Sequence, residues 1–477
     1  MPVIALLFLA CVMTGAFAVK SGRLGSLPEM PAFQSAKTAG ENKSAVGMKY
    51  AEQSDLTGSQ DNIDHAQSIR LRLSENAGAA EDAEDDPGTY GADDSENSSS
   101  TNSTSSTNST ISRNSWDSDI ADQTDNELVT GRVVDEWSRE DEKLEGAVRI
   151  DQSDASVISI SFAGDILFDP FYSVMASILK RTGGAPELTS AFDAEMVSLM
   201  TGADIFMINN EFPYTERGAP TANKNFTFRA KPAYATLLKD IGADIVSLAN
   251  NHICDYGTIA LTDTLDTLDA IGMQHVGAGR NTEEAFAPVY FSNGKIRIAF
   301  LSATEIERYA NPDTPGATDA SPGTARFFNE GPFLEKIREV KADCDFLIVY
   351  VHWGTENAEA IDASQKKKAK ELAEAGADLI IGDHPHVLQR LEVIDGVPVI
   401  YSLGNYLFNS RTQDTCLVTA ELDAETGDLK SFRFIPAMQS GCRTRHLEGS
   451  EKERVISYMR RISPGTEIDS EGYVVIR

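Results

Sequence analysis

The sequence predicts an α/β fold for residues 156–477, and two observations carry that prediction. From Val157 onward, apolar runs of four to seven residues, rich in Val and Ile, alternate with stretches of helical periodicity. The runs are also apolar at nearly every position, as expected of strands in sheets covered on both faces. Before residue 156 neither pattern occurs over any length.

Taken in chain order, the first element is the apolar run PVIALLFLACVMTGAFA, which ends in the cleavage-like pattern Ala16-Phe17-Ala18. Residues 1–18 are therefore expected to be a signal peptide or membrane anchor, placing the protein outside the cell or at its surface. No Lys or Arg precedes the run, whereas Lys20 and Arg23 follow it, and a strict positive-inside reading would keep the chain in the cytoplasm. The Ala-x-Ala ending favours export, and Cys11 in FLAC is a poor lipidation site. Residues 19–155 are rich in Ser, Thr, Asn, Asp and Glu and include ENSSSTNSTSSTNSTISRNS. Such a tract cannot bury enough apolar surface to offset its ordering entropy, so it reads as a disordered acidic linker with at most a marginal helix at EDEKLEGAV. The net charge of −31 over 477 residues excludes nucleic-acid binding, which needs a basic footprint.

In the folded region the runs are VISISFAGD, ADIFMINNE, ADIVSLANNH, IRIAFLSATE, FLIVYVHWG, ADLIIGDHPH and VPVIYSLGN. TIALTDTLDTLDAIG and SQKKKAKELAEAG read as amphipathic helices closed by Gly272 and Gly376. Reactive groups follow directly after the runs: Asp165, Glu211, Asn250 to His252, His352, and the pair His384 and His386. In α/β sheets the C-terminal strand ends form the edge where ligands bind, so five strands are expected to deliver polar groups to one rim.

Asp165, Glu211, Asn251, His352, His384 and His386 mix carboxylate, amide and imidazole donors, the set that suits Mn, Fe or Zn. Six ligands exceed one tetrahedral site and suit two cations, which together activate water and hold attacking and leaving oxygens. Each group also has a bland reading: Asp165 as a helix cap, Glu211 as a turn residue, His352 as a core histidine, Asn250 as a turn residue. Arg229 and Lys231 in FTFRAKP, with Lys224 upstream, offer positive charge for an anionic substrate or read as a solvated loop. His275 and His446 lack partners and read as structural. Cys254, Cys344, Cys416 and Cys442 have no C-x-x-C spacing, and Cys254 reads as an apolar filler. No G-x-S-x-G elbow, P-loop or H-E-x-x-H occurs.

The segments FAGDILF, NNEFPYT, FTFRAKP, SLANNHICDYG, VGAGRN, YVHWGTE, GDHPHVLQ, YSLGNYLF and FRFIPAMQ, in this order, resemble the poly-γ-glutamate capsule biosynthesis (CapA-like) family. That family is a branch of the calcineurin-like metallophosphoesterase superfamily. The resemblance implies a four-layer α/β/β/α sandwich with a di-metal centre. It implies that Asp165 binds one cation, Glu211 takes the bridging position, Asn251 and His352 bind the second, and His384 and His386 divide between them. It gives His252 the role of proton donor to the leaving group, oriented by Asp255. The superfamily's first motif is D-x-H, whereas Ile166 and Leu167 follow Asp165 here, so one cation lacks a ligand. The implied role is synthesis or processing of poly-γ-glutamate or another anionic polymer beside membrane-bound synthesis proteins, with membrane contact only through the N-terminal segment. Three functions stay open: a metal-dependent hydrolase, a non-catalytic polymer-binding or assembly component, and a general metallophosphoesterase.

Overall fold

A computed structural model describes residues 143–152, 154, 156–308 and 312–476; the segment over 1–18 and most of the expected linker lie outside the described residues. The linker boundary at residue 155 is corrected. Val148–Arg149 forms a strand (β1) that pairs in parallel with Val289–Ser292 (β7), with Val148 opposite Phe291. Ile150 is buried, and Lys143 pairs with Asp345 at 2.7 Å. The alternation of Val148 and Ile150 gives this short segment one apolar face, enough to seat it on a sheet edge.

All seven apolar runs form strands, but in two sheets. The first has the spatial order β1, β7, Arg297–Thr304 (β8), Phe346–His352 (β10), Leu379–Asp383 (β11), Val397–Ile400 (β13) and Leu391–Ile394 (β12). The second runs Thr444–His446 (β17), Leu429–Gln439 (β16), Gln413–Asp423 (β15), Val157–Ile166 (β2), Ile205–Asn210 (β3), Ile245–Ser247 (β4) and Gln274–Val276 (β5). Asn405–Leu407 (β14) lies in parallel along the end of β2, and Ala278–Gly279 (β6) pairs with Gly323–Thr324 (β9) outside both sheets. The central strands β8, β10 and β11 of one sheet and β2, β3 and β4 of the other are parallel.

Period-2 alternation distributes these apolar strands between two interiors. Ile205 and Met207 of β3 face the other sheet, where Ile348 and Tyr350 of β10 meet them. Phe206 and Ile208 face outward, against helices Ser173–Arg181 (α1), Ala194–Thr201 (α2) and Thr258–Ile271 (α3). Leu347 and Val349 of β10 likewise pack on Glu330–Lys341 (α4) and Ala363–Ala375 (α5). The layers are thus α/β/β/α, as expected. Helix α5 begins with a capping box of Asp362 and Gln365 and ends at Gly376 in a left-handed conformation, φ 119°. Helix Gly449–Ile462 (α6) adds Val455, Ile456 and Met459 to the interior between the sheets. No helix among the described residues is long and apolar enough to cross a membrane.

The long hairpin β15–β16 does not stand out among the apolar runs, because its strands are only partly covered and show alternation where the other runs are continuous. It pairs with β2 and extends the second sheet. β2 is also pressed by the turn before β14: a β-carbon at Gly164 would overlap the Gly404 carbonyl oxygen. Gly164→Ala is therefore expected to cost about 1–3 kcal/mol, as overpacking does, read as a lower denaturation midpoint. An unchanged midpoint would contradict this account of the β2–β14 approach.

Candidate metal centre

The ends of parallel strands from both sheets meet at one rim. The rim expected of a single open sheet is thus shared by β2, β3 and β4 on one side and β10 and β11 on the other. Strand pairing sets the register: Asp165 lies opposite Asn209 and Asn405, and His352 opposite Asp383. Asp165, Glu211, His352, Asp383 and His384 are buried.

Three groups of ligand-capable atoms emerge, Asp165 with Glu211 and His386, Glu211 with His352 and His384, and Asp165 with His352 and Asp383; within each, the atoms lie within 4.8 Å of one another. Glu211 belongs to the first two, which is the placement a bridging carboxylate needs. His352 directs Nε2 toward Asn251 Oδ1 at 2.8 Å, His384 Nδ1 at 3.1 Å and Glu211 Oε1 at 3.5 Å. Its other nitrogen, Nδ1, donates to Asp383 Oδ1 at 2.7 Å, which fixes the ring and leaves Nε2 free as a donor atom. Asp165 accepts from Asn209 Nδ2 at 2.8 Å and contacts His386 Nδ1 at 3.0 Å. His384 and His386 both adopt positive φ, 92° and 59°, on either side of Pro385. Side chains other than glycine pay about 1–3 kcal/mol for such conformations, which persist where surrounding structure imposes them.

The electrostatics of the cluster call for a cation. Burial, reinforced by Asp165 and Asp383, pushes the Glu211 carboxyl far above its ordinary value, and neither Glu211 oxygen has a hydrogen-bond partner. Burial and then Asp165 push Asp383 up in the same way, and its Oδ2 is also unpartnered. Burial pushes Asp165 up too, but the hydrogen bond and charge of His386, with the charge of His352, outweigh it and hold the group at about 2. His352 is pushed down to about 3 by burial, against the pull of Asp165, and His384 falls well below its ordinary value through burial and then its neighbours His352 and His386. Buried carboxylates without donors are costly unless paired with a cation. Carboxylate, amide and imidazole groups in this arrangement fit one or two divalent ions.

Beside the cluster, His252 Nδ1 contacts Asp255 Oδ2 at 2.7 Å. Burial favours the neutral His252 ring, and Asp255 opposes it. Asn250, unassigned from sequence, accepts from the His252 backbone N–H at 3.1 Å and donates to Asn209 Oδ1 at 3.1 Å, tying two strand ends together. Phe228 lies 4.3 Å from the His252 ring and Phe408 4.9 Å from the His386 ring, so the imidazoles have apolar walls.

The reading of Lys224 as a free charge for substrate is overturned. Its ammonium is buried, pairs with Asp255 at 2.7 Å and Asp313 at 3.2 Å, and donates to the Asn251 carbonyl at 2.6 Å. The Arg229 guanidinium lies 4.4 Å over the Tyr256 ring, next in sequence to Asp255, while Asp169 Oδ2 accepts from the Arg229 backbone N–H. Lys231 is exposed and its ammonium makes no ion pair among the described residues. His275 pairs with Asp269 at 3.0 Å, and His446 sits in edge strand β17, both outside the cluster. The four described cysteines are free thiols, and burial pushes Cys254 up to about 12, in keeping with a filler role. Sequence reasoning missed Asp383, Asn209 and Asn405. Asp383 carried a signal, since it closes LIIGD as Asp165 closes ISFAGD.

The profile of the bacterial capsule synthesis protein PGA_cap matches residues 159–410, a stretch that holds every member of the cluster. The PGA biosynthesis protein CapA of Bacillus subtilis (strain 168) is 30% identical over 275 residues, covering 56% of this chain and 68% of that protein. The capsule biosynthesis protein CapA of Bacillus anthracis is 33% identical over 211 residues, 42% of this chain and 49% of its own length. A protein of Mycobacterium tuberculosis (strain CDC 1551 / Oshkosh) described as a probable polyglutamine synthesis accessory protein is 26% identical over 278 residues, 55% of this chain and 73% of that one. Among solved structures, a phosphatase from Mycoplasma pneumoniae is similar at a TM-score of 0.37 and 16% identity, over 60% of this chain and 95% of that chain.

Proposed function

The chain belongs to the bacterial capsule synthesis (PGA_cap) family, and on that premise we propose that it is a metal-dependent hydrolase of poly-γ-glutamate capsule biosynthesis, acting on the polymer or on a phosphorylated intermediate. The observation that carries this reading is the Glu211 carboxylate, buried, without a hydrogen-bond partner and common to two groups of donor atoms. Asp165, Glu211 and His386 would hold one cation, and Glu211, Asn251, His352 and His384 the other. When bound, such ions supply Lewis-acid activation of water and neutralise charge on substrate oxygens.

The chain's own residues supply the rest. Asp255 holds His252 Nδ1 and so aims Nε2 away from itself; burial holds the ring below its ordinary value, and a proton carried on Nε2 would be the one given to the leaving group. Phe228 and Phe408 exclude water from the imidazoles, and Arg229 offers positive charge toward an anionic chain. We place this activity at the cell surface, beside membrane-bound synthesis proteins; the apolar residues 3–18 with their Ala-x-Ala ending support that placement.

The test is hydrolysis of poly-γ-glutamate and of a model phosphodiester by the full chain with added Mn, Fe(II) or Zn. His252→Asn is expected to lower turnover by about 100-fold or more, the contribution of a general acid. Activity in this variant equal to that of the unmodified protein would remove His252 from the reaction, and absence of hydrolysis of either substrate class with all three ions would defeat the reading.

A further inference from the structure

We propose that Asn405 is a ligand of the cation position formed by Asp165, Glu211 and His386, a proposal that rests on the metal reading above. Asn405 lies on β14 directly opposite Asp165 of β2 and is 3% exposed. The two strands are pressed together at this point, since Gly164 has no room for a side chain against Gly404. That approach brings Asn405 Oδ1 to 2.9 Å from His386 Nδ1, while Asp165 Oδ2 lies 3.0 Å from the same nitrogen.

A ring nitrogen facing two oxygens at such distances has one N–H to share between them. Both separations from His386 Nδ1 are those of neighbouring ligands: donors about 2.1 Å from one octahedral ion and at right angles to each other sit about 3 Å apart. The amide is already turned the right way. Gln413 donates from Nε2 to the His386 carbonyl at 3.3 Å, and its Oε1 faces Asn405 Nδ2 at 3.4 Å, so Oδ1 is left pointing at the cluster. On the other side of Asp165, the position two residues on is Leu167, buried and without a donor atom.

The experiment is Mn(II) binding to the full chain, read as ions per chain by elemental analysis and as affinity by calorimetric titration, for the unmodified protein, Asn405→Leu and Asn405→Asp. Loss of one ion, or at least about 10-fold weaker binding of it, is expected in Asn405→Leu, with both ions retained in Asn405→Asp. An Asn405→Leu variant that folds and binds every ion with unchanged affinity overturns the proposal and leaves the metal reading standing. An unmodified chain that binds no ion overturns both. If Asn405→Leu does not fold, anomalous scattering from Mn-soaked crystals of the unmodified protein decides: an ion about 2.2 Å from Asn405 Oδ1 supports the assignment, and one beyond about 3 Å overturns it.

Discussion

Replacing Glu211 by Gln is expected to stabilise the protein without cations and to weaken cation binding by at least about 100-fold. The two effects have one origin. Glu211 is buried, none of its oxygens has a hydrogen-bond partner, and Asp165 and Asp383 repel its charge. An unsatisfied buried group costs about 1–3 kcal/mol, more when charged, and the neutral amide relieves part of that cost. The pH dependence follows from the sign of the shift. The folded state holds the Glu211 proton more tightly than the unfolded chain does, so stability is greatest at acid pH and falls as pH rises through the ordinary glutamate range toward the raised value. Glu211→Gln should remove part of that slope. Asp383, raised in the same direction, retains the remainder, while Asp165, held at about 2, contributes stability that is lost only in strong acid. Thermal melts of chelator-treated protein between mildly acidic and neutral pH give the comparison. Equal melting of both proteins at neutral pH would mean that Glu211 is not strained without a cation.

Lys224→Met is expected to destabilise the fold by about 3–5 kcal/mol, the usual cost of removing one member of a buried ion pair. Lys224 is 7% exposed and stands between Asp255 and Asp313, which are 0% and 5% exposed. Burial opposes its charge, but Asp255 and Asp313 outweigh burial and raise the ammonium above its ordinary value. A raised lysine stabilises the fold at all pH below its unfolded value, and the contribution disappears as pH climbs through the folded value. The loss should therefore be full at neutral pH and smaller in strongly alkaline solution. Because Lys224 also holds the Asn251 carbonyl and the carboxylate that orients His252, the variant should lose activity out of proportion to its unfolded fraction. Urea denaturation at neutral pH measures the first effect, and a change below about 1 kcal/mol would show that the network is solvated.

Much of this was legible in the sequence, and the gaps have physical causes. Runs such as FLIVYVHWG are apolar on both faces, so strand identity and the exit of His352 at a strand end could be read locally. Which strands pair is a non-local matter: nothing in VISISFAGD says that β2 lies between β3 and β15, or that a second sheet faces it. Carboxylates and imidazoles announce themselves at strand ends. Amides do so less: Asn251 stood out beside His252, whereas Asn209, Asn250 and Asn405 became meaningful only through their neighbours in space. Lys224 misled for a related reason, since a lysine in a polar loop reads as solvated until Asp255 and Asp313 are seen around it. The early start of the fold at β1 rested on two apolar residues, Val148 and Ile150, too few to stand out from the acidic sequence before them.

The most direct test of the central claim is the number of divalent ions bound per chain in the purified full-length protein, measured by elemental analysis after loading with Mn, Fe(II) or Zn and removal of excess. The arrangement around Glu211 predicts two ions in the unmodified chain, and loss of the ion held with Asn251, His352 and His384 in His352→Ala. No bound ion, or the same content in His352→Ala as in the unmodified chain, would contradict it.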